Sequence, residues 1–526
     1  MPLFNQPIML AELARCTLVA LLAFVCYILW LYLRWRFSPL FRLPGPKCNF
    51  TLREWVIGNI KIVDSEPFMA PQQRWWHEAG PRTQLLHYTQ LFGRHFVCVM
   101  DADGVKQVLS PNDGVARPRF VKGIDHLNKV IGRGLVTMDG ADWHRHRKII
   151  QPSFHNQLLK EALNSCVPNL VTRMIDAWKE REGSEIDLVS HFSAIALDII
   201  GTVAFSHNFR SMELVEQWAK DDNYQVELED PLVQSIYSNM MPSKLKLLLI
   251  RLRLVFLERF INPESHRSMV ILNRAVDDVV RRAKLRHNDR HEASTEAKCL
   301  LQLLFDAEPG SRHGSLSHNE LREETKTFLV AGHETTSTLC VYAIYCLLKY
   351  PEKKDLVLDD IKKHSQKVRR VSLESTERME YLDAFLKEVL RLFPPVGMIT
   401  RHTADWVTIL GEKIPPGTRI IVPIWLLHRH PDYWSEPESF KPERWLNSGQ
   451  AERKFQPFAY LPFSAGSRNC IGQRFAMWEA KLILAPIIRD FEIKLSPSLE
   501  DVEPKIVNFI TIKSIPSIKI LAKPRQ

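Results

Sequence analysis

The chain is predicted to be mainly α-helical with small β-sheets, folded as one large domain behind a single N-terminal transmembrane helix. Three observations predict this. Apolar residues recur at helical spacing over most of the 526 residues, while strand-like pieces are short, as at 96–100, 406–410 and 419–422. An uncharged apolar run occupies residues 16–33. The residues that carry chemistry are scattered from Trp143 to Cys470, with no repeat, long Gly/Ser linker or low-complexity tract between them. One site assembled from such distant segments requires one domain, although length alone would allow three. Polar stretches at 286–298 and 308–319 read as loops flanking a helix.

The apolar run is preceded by Arg15 and followed by Arg34, Arg36 and Arg42. As a helix it rises about 27 Å, which suits a thin bilayer such as that of the endoplasmic reticulum. A cleaved signal would have a shorter apolar core and small residues at a cleavage site. More basic residues follow the run than precede it, so the positive-inside rule puts the C-terminal part in the cytosol. The expected organisation is an N-terminal segment over 1–33 with its anchor at about 14–33, a basic, proline-bearing linker over 34–46 ending in the stiff turn LPGP, and a catalytic domain over 47–526. Nine scattered cysteines suit a reducing compartment better than a disulfide framework.

Residues 463–472 read FSAGSRNCIG. Cys470 has no second Cys or His within ten residues, whereas zinc and iron–sulfur sites collect several such ligands at short spacing. A solitary thiolate suits an iron already chelated by a porphyrin. Residues 473–488 read as a helix, so Cys470 sits just before an N-terminus whose N–H groups and dipole favour the thiolate. Gly466 and Gly472 permit sharp turns and close approach to a flat ligand. Arg468 offers a cation to a carboxylate at the ligand's rim, and Phe463 an aromatic face to the sulfur.

This pattern, F-x-x-G-x-R-x-C-x-G, resembles the haem-binding loop of the cytochrome P-450 family, and three further segments match the same family over roughly residue 44 to the C-terminus. Ser317 and Glu320 form a capping-box signature ahead of a helix of some thirty residues that carries AGHETT at 331–336. An interior Gly costs roughly 0.5–1 kcal/mol relative to Ala, so Gly332 marks a close approach. The resemblance implies that this helix crosses the distal face of the haem and that Glu334 and Thr335 relay protons to dioxygen. KEVLRLFPP at 387–395 puts Glu388 and Arg391 on one helix face, and FKPERW at 440–445 supplies Arg444. Together they resemble the family's structural Glu–Arg–Arg lock. Trp143 and Arg147, four apart on a helix, are similar to the family's W-x-x-x-R propionate contact, and Arg401 resembles another. The His residues of HRH at 144–146 and 428–430 lack the partners zinc needs and read as solvated surface groups.

The resemblance implies a membrane-anchored haem-thiolate monooxygenase, inserting one oxygen atom of O2 into an apolar organic substrate such as a lipid or terpenoid. Cys470 would ligate iron, Glu334 and Thr335 would manage protons, and Trp143, Arg147, Arg401, Phe463 and Arg468 would hold the porphyrin. Electrons would come from an NADPH–cytochrome P-450 reductase, with cytochrome b5 as a second donor, because no G-x-G-x-x-G opens a βαβ unit here. The alternative is a haem-thiolate isomerase or dehydratase acting on a peroxide without O2; a haem sensor or carrier is the non-enzymatic reading. The Trp143 and Glu334 surroundings resemble members that hydroxylate long-chain lipids. The net charge of +10 is spread without the clusters of nucleic-acid binders, and suits anionic headgroups and an acidic redox partner. The basic apolar stretch 244–259 is a candidate membrane contact. The expected location is the endoplasmic reticulum membrane, single-pass, with the domain facing the cytosol.

Overall fold

The apolar run lies inside one helix, Gln6–Arg36, in a computed structural model that describes residues 6–110, 120–122, 131–154, 156–221, 224, 226, 263–288, 299–305, 315–365, 370–446, 456–499, 502–508 and 511–525. The stretch 244–259 lies outside these residues, as do most of 289–314. The anchor helix outruns its apolar segment because no interior Gly or Pro stops it; Pro7 falls in the first turn, where its missing N–H costs nothing. The apolar window is unburied, as a span meant for lipid should be.

Residues 34–46, read as a linker, are packed onto the domain. Trp35 is 2% exposed, and it meets Phe41 and Phe50 edge-on. Tyr32 Oη donates to the Phe50 carbonyl at 2.7 Å, Arg42 pairs with Glu412 at 2.8 Å, and the Pro44 carbonyl accepts from His87 N–H at 2.7 Å. Aromatic side chains in the basic segment explain the difference: exposing them would forfeit apolar burial that a docked turn recovers.

The main sheet has five strands in the order Leu85–Gln90, Arg94–Val99, Arg419–Val422, Ile399–Thr403 and Phe120–Val121. Arg94–Val99 and Arg419–Val422 run parallel and the other neighbours antiparallel. Smaller sheets of two or three strands complete the β structure among the described residues. The larger core is helical. Its centre is the long helix His318–Lys349, opened by the Ser317/Glu320 capping box that the sequence predicts. It packs against Leu188–Phe205 and Gln473–Asp490, the latter also resting on Asn156–Glu180. Leu188–Phe205 is apolar enough to span a membrane but is mostly buried, which makes it a core helix. Gly332 lets these helices approach: a Cβ there would lie 2.7 Å from Ile200 Cδ1. The close approach at Gly332 is thus met by the neighbouring helix.

The anchor's seat gives a direct test. Gly93 has φ +64°, and a Cβ on it would lie 2.6 Å from both the Trp35 and Trp55 rings. Gly93→Ala should cost about 1–3 kcal/mol in denaturant unfolding and expose Trp35 fluorescence.

Candidate active site

Backbone geometry presents Cys470. Ser464 and Gly466 both take positive φ, +61° and +74°, and a Cβ on Gly466 would lie 2.3 Å from the Leu109 carbonyl oxygen. The chain then makes a short 3-10 turn over Gly466–Arg468, Cys470 N–H donates to the Phe463 carbonyl at 2.9 Å, and the helix Gln473–Asp490 begins. Phe463 itself is partly buried against the helical core. Gly472 has ordinary φ, so it serves no sharp turn; a Cβ there would lie 4.0 Å from Cys470 Sγ. Cys470 is exposed by its surface yet surrounded by protein, which means that its sulfur faces an internal space. Burial pushes the thiol up, against a Gly472 backbone hydrogen bond and the Arg147 charge that both pull it down. The backbone N–H at the helix start pulls toward the thiolate as expected, but burial outweighs it, and a metal cation would supply further compensation.

Arg147 braces this loop. Its Nη1 and Nη2 donate to the backbone and side-chain oxygens of Asn469, both at 3.1 Å. It sits with buried Trp143 on the helix Gly140–Ile150, one turn apart as the spacing requires. Arg468 lays its guanidinium 4.3 Å above the Trp143 ring and pairs with Asp139 at 2.8 Å.

The Glu–Arg–Arg lock forms in full behind the loop. Glu388 accepts from Arg391 Nε and Nη2 at 3.0 and 2.8 Å, from Arg444 Nε at 3.1 Å, and from Trp445 Nε1 at 2.8 Å. All three charged side chains are within 1% of full burial. Arg391 further donates to the His428, Pro437 and Ser439 carbonyls, and His428 Nε2 accepts from Leu461 N–H at 2.7 Å, two residues before Phe463. A buried carboxylate so completely satisfied fixes the approach to the Cys loop.

Arg401 lies on the strand Ile399–Thr403, largely buried, with Nη1 donating to the adjacent Thr400 carbonyl. Burial and the nearby Arg468 bring its pKa down to about 10. Lys122, which no motif marks, completes a cationic group: burial, Arg401 and Arg468 push its ammonium well below its usual range. Its Nζ donates to the Leu135 carbonyl at 3.1 Å and to that of Val136. Asp139 is the carboxylate between them, also accepting from Lys122 N–H at 2.8 Å. Glu324, further off, is taken up by Leu135 N–H at 3.1 Å and by His146 at 2.7 Å.

On the long helix, Ala331 is exposed and Thr335 half-buried amid a core stretch, so that face also meets internal space. Phe154 links the two ends: it lies 3.9 Å from a Cβ built on Gly472 and packs 6.0 Å from the Phe328 ring, one turn before Ala331. Thr335 Oγ1 donates to the Ala331 carbonyl at 2.8 Å. Glu334 points elsewhere. It is buried, accepting from Thr511 Oγ1 at 3.0 Å and pairing with Lys513 Nζ at 2.5 Å. Despite burial, Lys513, His333 and Thr511 hold its carboxyl below the ordinary value.

Both HRH segments differ from expectation. His146, His428 and His430 are buried, not solvated. His146 ties the Trp143 helix to Glu324 of the long helix, and His428 serves the lock. A satisfied hydrogen bond made burial cheaper than exposure. Lys122, Asp139 and Lys513 carry no motif signal, and Asn469 fills a variable position of the Cys loop; each is defined only by where distant segments meet.

These residues fit a thiolate-ligated haem. One sulfur opens onto an internal space bounded by Phe154 and the Ala331 face, and at its edge three basic side chains, Arg401 buried and Lys122 and Arg468 partly so, share one carboxylate, an excess that two propionates would meet. Two outcomes follow. Arg444→Leu should strip a partner from buried Glu388 and cost about 3–5 kcal/mol in thermal or denaturant unfolding. Lys513→Met should cost a similar amount at neutral pH and raise the pH of acid unfolding. A carboxyl held below its ordinary value stabilises the fold above that value, and the contribution disappears as pH falls through the native one. Without Lys513, that loss begins at higher pH.

Known proteins agree with this geometry. The family model for cytochrome P450 matches residues 51–520. Cytochrome P450 4Z1 of Homo sapiens is 30% identical over 493 residues, covering 90% of this chain and 92% of that one. Cytochrome P450 4V2 of Rattus norvegicus is 30% identical over 449 residues, covering 80% and 81%. The crystal structure of the cytochrome P450DA heme domain superposes with a TM-score of 0.73 at 22% identity, covering 92% of this chain and 97% of that one. The chain belongs to the cytochrome P450 family: it is a haem-thiolate monooxygenase, an oxidoreductase with a mainly α fold and small sheets.

Proposed function

We propose that this protein hydroxylates an apolar lipid-class substrate at the endoplasmic reticulum membrane, drawing electrons from an NADPH–cytochrome P-450 reductase on the cytosolic side. The reaction converts substrate, O2, two electrons and two protons into alcohol and water. The observation that carries the reading is the pairing of one deep sulfur, Cys470, with a Thr-bearing helix face across an internal space. When bound, the haem supplies oxygen activation. The chain supplies the rest.

Cys470 is the iron ligand, held in place by Phe463 and Asn469. Lys122, Arg401 and Arg468 receive the carboxylate rim, with Trp143 stacking beneath Arg468 and Arg147 bracing the loop. Thr335 presents a hydroxyl to the distal side, where it can pass a proton inward. Glu334, turned away and kept as a carboxylate by Lys513, acts on this side only as a fixed charge. Apolar walls such as Phe154 and Phe328 exclude water and favour an apolar substrate. The anchor supports a membrane-borne substrate pool, and the basic residues beyond it support a cytosolic domain. The retained Glu334–Thr335 pair favours oxygen activation over peroxide rearrangement.

Reduced protein under carbon monoxide should show the red-shifted Soret band of a thiolate-ligated haem. Cys470→Ala should abolish it, and an unshifted wild-type band would refute the ligand assignment. Thr335→Ala should lower product per NADPH consumed by on the order of 10²-fold while NADPH oxidation continues; undiminished turnover of a hydroperoxide without reductase would instead support the isomerase. Deleting residues 1–31 should release a folded protein from membranes, because Tyr32 and Trp35 remain in their seat.

A further inference from the structure

Glu479 stands on the helix that follows Cys470, six residues after its first residue Gln473, and is completely buried. Neither carboxyl oxygen has a hydrogen-bond partner. The nearest polar group is the Thr336 hydroxyl of the long helix, which also lacks a partner, close enough to affect the carboxyl but not aligned as a hydrogen bond. Its other ionisable neighbours are thiols, Cys340 from the long helix and Cys166 from Asn156–Glu180, both pushed upward themselves. No cation compensates it among the described residues. Lys481, two residues on, pairs with Asp383 at 2.6 Å, and Lys160 of Asn156–Glu180 pairs with Glu377 at 2.7 Å.

A carboxylate in such a place would be an isolated buried charge, so the group keeps its proton instead. Burial lifts its pKa to about 8. Glu334 is the opposite case: it lies on the same long helix, two residues from Thr336, and is held ionised by Lys513. The carboxyl named by the sequence motif therefore arrives without a proton, and the one no motif names arrives with it.

We propose that Glu479 is the site's proton store, holding a proton behind the long helix and exchanging it with solvent as the charge at the Cys470 end of its own helix changes. Adding an electron to that region favours the protonated acid, and removing one favours release. The exchange moves only a proton: the acid O–H breaks to leave the carboxylate, and solvent returns the proton. Glu479 is sealed in the core nine residues past Cys470, so its role is that of a positioning residue acting through charge. The proposal rests on the haem-thiolate reading.

Two measurements on the full-length protein separate the proposal from that reading. Infrared titration of the haem-free protein should show a protonated-carboxyl band at pH 7 that fades near pH 8 and is missing in Glu479→Gln. A band-free wild type would overturn the proposal whatever the cofactor. In the haem-loaded protein, the midpoint potential should fall with rising pH, by up to 59 mV per tenfold drop in proton concentration for one electron and one proton. Glu479→Gln, neutral and of equal size, should flatten this dependence while keeping the thiolate carbon monoxide band. An unchanged slope in the variant would overturn the proposal and leave the monooxygenase reading standing; a missing thiolate band in wild type would overturn the reading itself.

Discussion

Much of the domain answers one constraint: a sulfur must be held deep in protein, where its thiolate is costly, facing an internal space that the long helix also meets. Cys470 meets the positional half of that constraint through backbone, with two positive-φ residues and the Phe463 carbonyl setting its loop. It does not meet the electrostatic half alone, since burial outweighs the Gly472 backbone hydrogen bond and Arg147. The cofactor's own cation is thus part of the stability of the site, and metal binding and loop order are linked. The Glu388–Arg391–Arg444 network makes the loop worth building: it contributes little net stability as an ion pair, but its completeness through Trp445 and His428 leaves one arrangement of the surrounding chain.

Buried charge is then distributed by sign. At the rim, Lys122, Arg401 and Arg468 outnumber Asp139 and await anions. On the long helix, Glu334 is matched by Lys513 and remains ionised. Behind it, Glu479 has no cation and remains an acid. The three solutions differ because the price of an ion in low dielectric is set by partners within a few ångströms, and each segment brings different ones.

How much of this could be read from the amino acids follows from what each feature depends on. The capping box at Ser317 and the Cys-loop helix are local, and the residues specify them at the expected positions. Glu388, Arg391 and Arg444 were legible because the helix period and a second motif bring them together. Lys122 and Glu479 were not, since their character arises from contacts between segments hundreds of residues apart. His146 and His428 misled because polarity predicts exposure only when no buried partner exists. The basic stretch after the anchor misled likewise: its arginines read as a solvated linker, while Trp35, Phe41 and Phe50 decide the packing.

That packing alters how the anchor acts on the enzyme. A flexible linker would let the domain tumble over the bilayer, and the anchor would only raise local concentration. Here the helix runs unbroken to Arg36, and its last turn is clamped by Tyr32, Trp35 and the Gly93 seat, with Arg42 tied to Glu412 on the far side of the turn. Helix tilt and domain orientation are consequently one variable. A load on the buried Trp35 cluster from either direction, a tilt of the helix or a shift of the turn at Gly93 that leads into the strand Arg94–Val99, is transmitted to the other, so that a bilayer around the helix would be coupled to the sheet that carries Arg401.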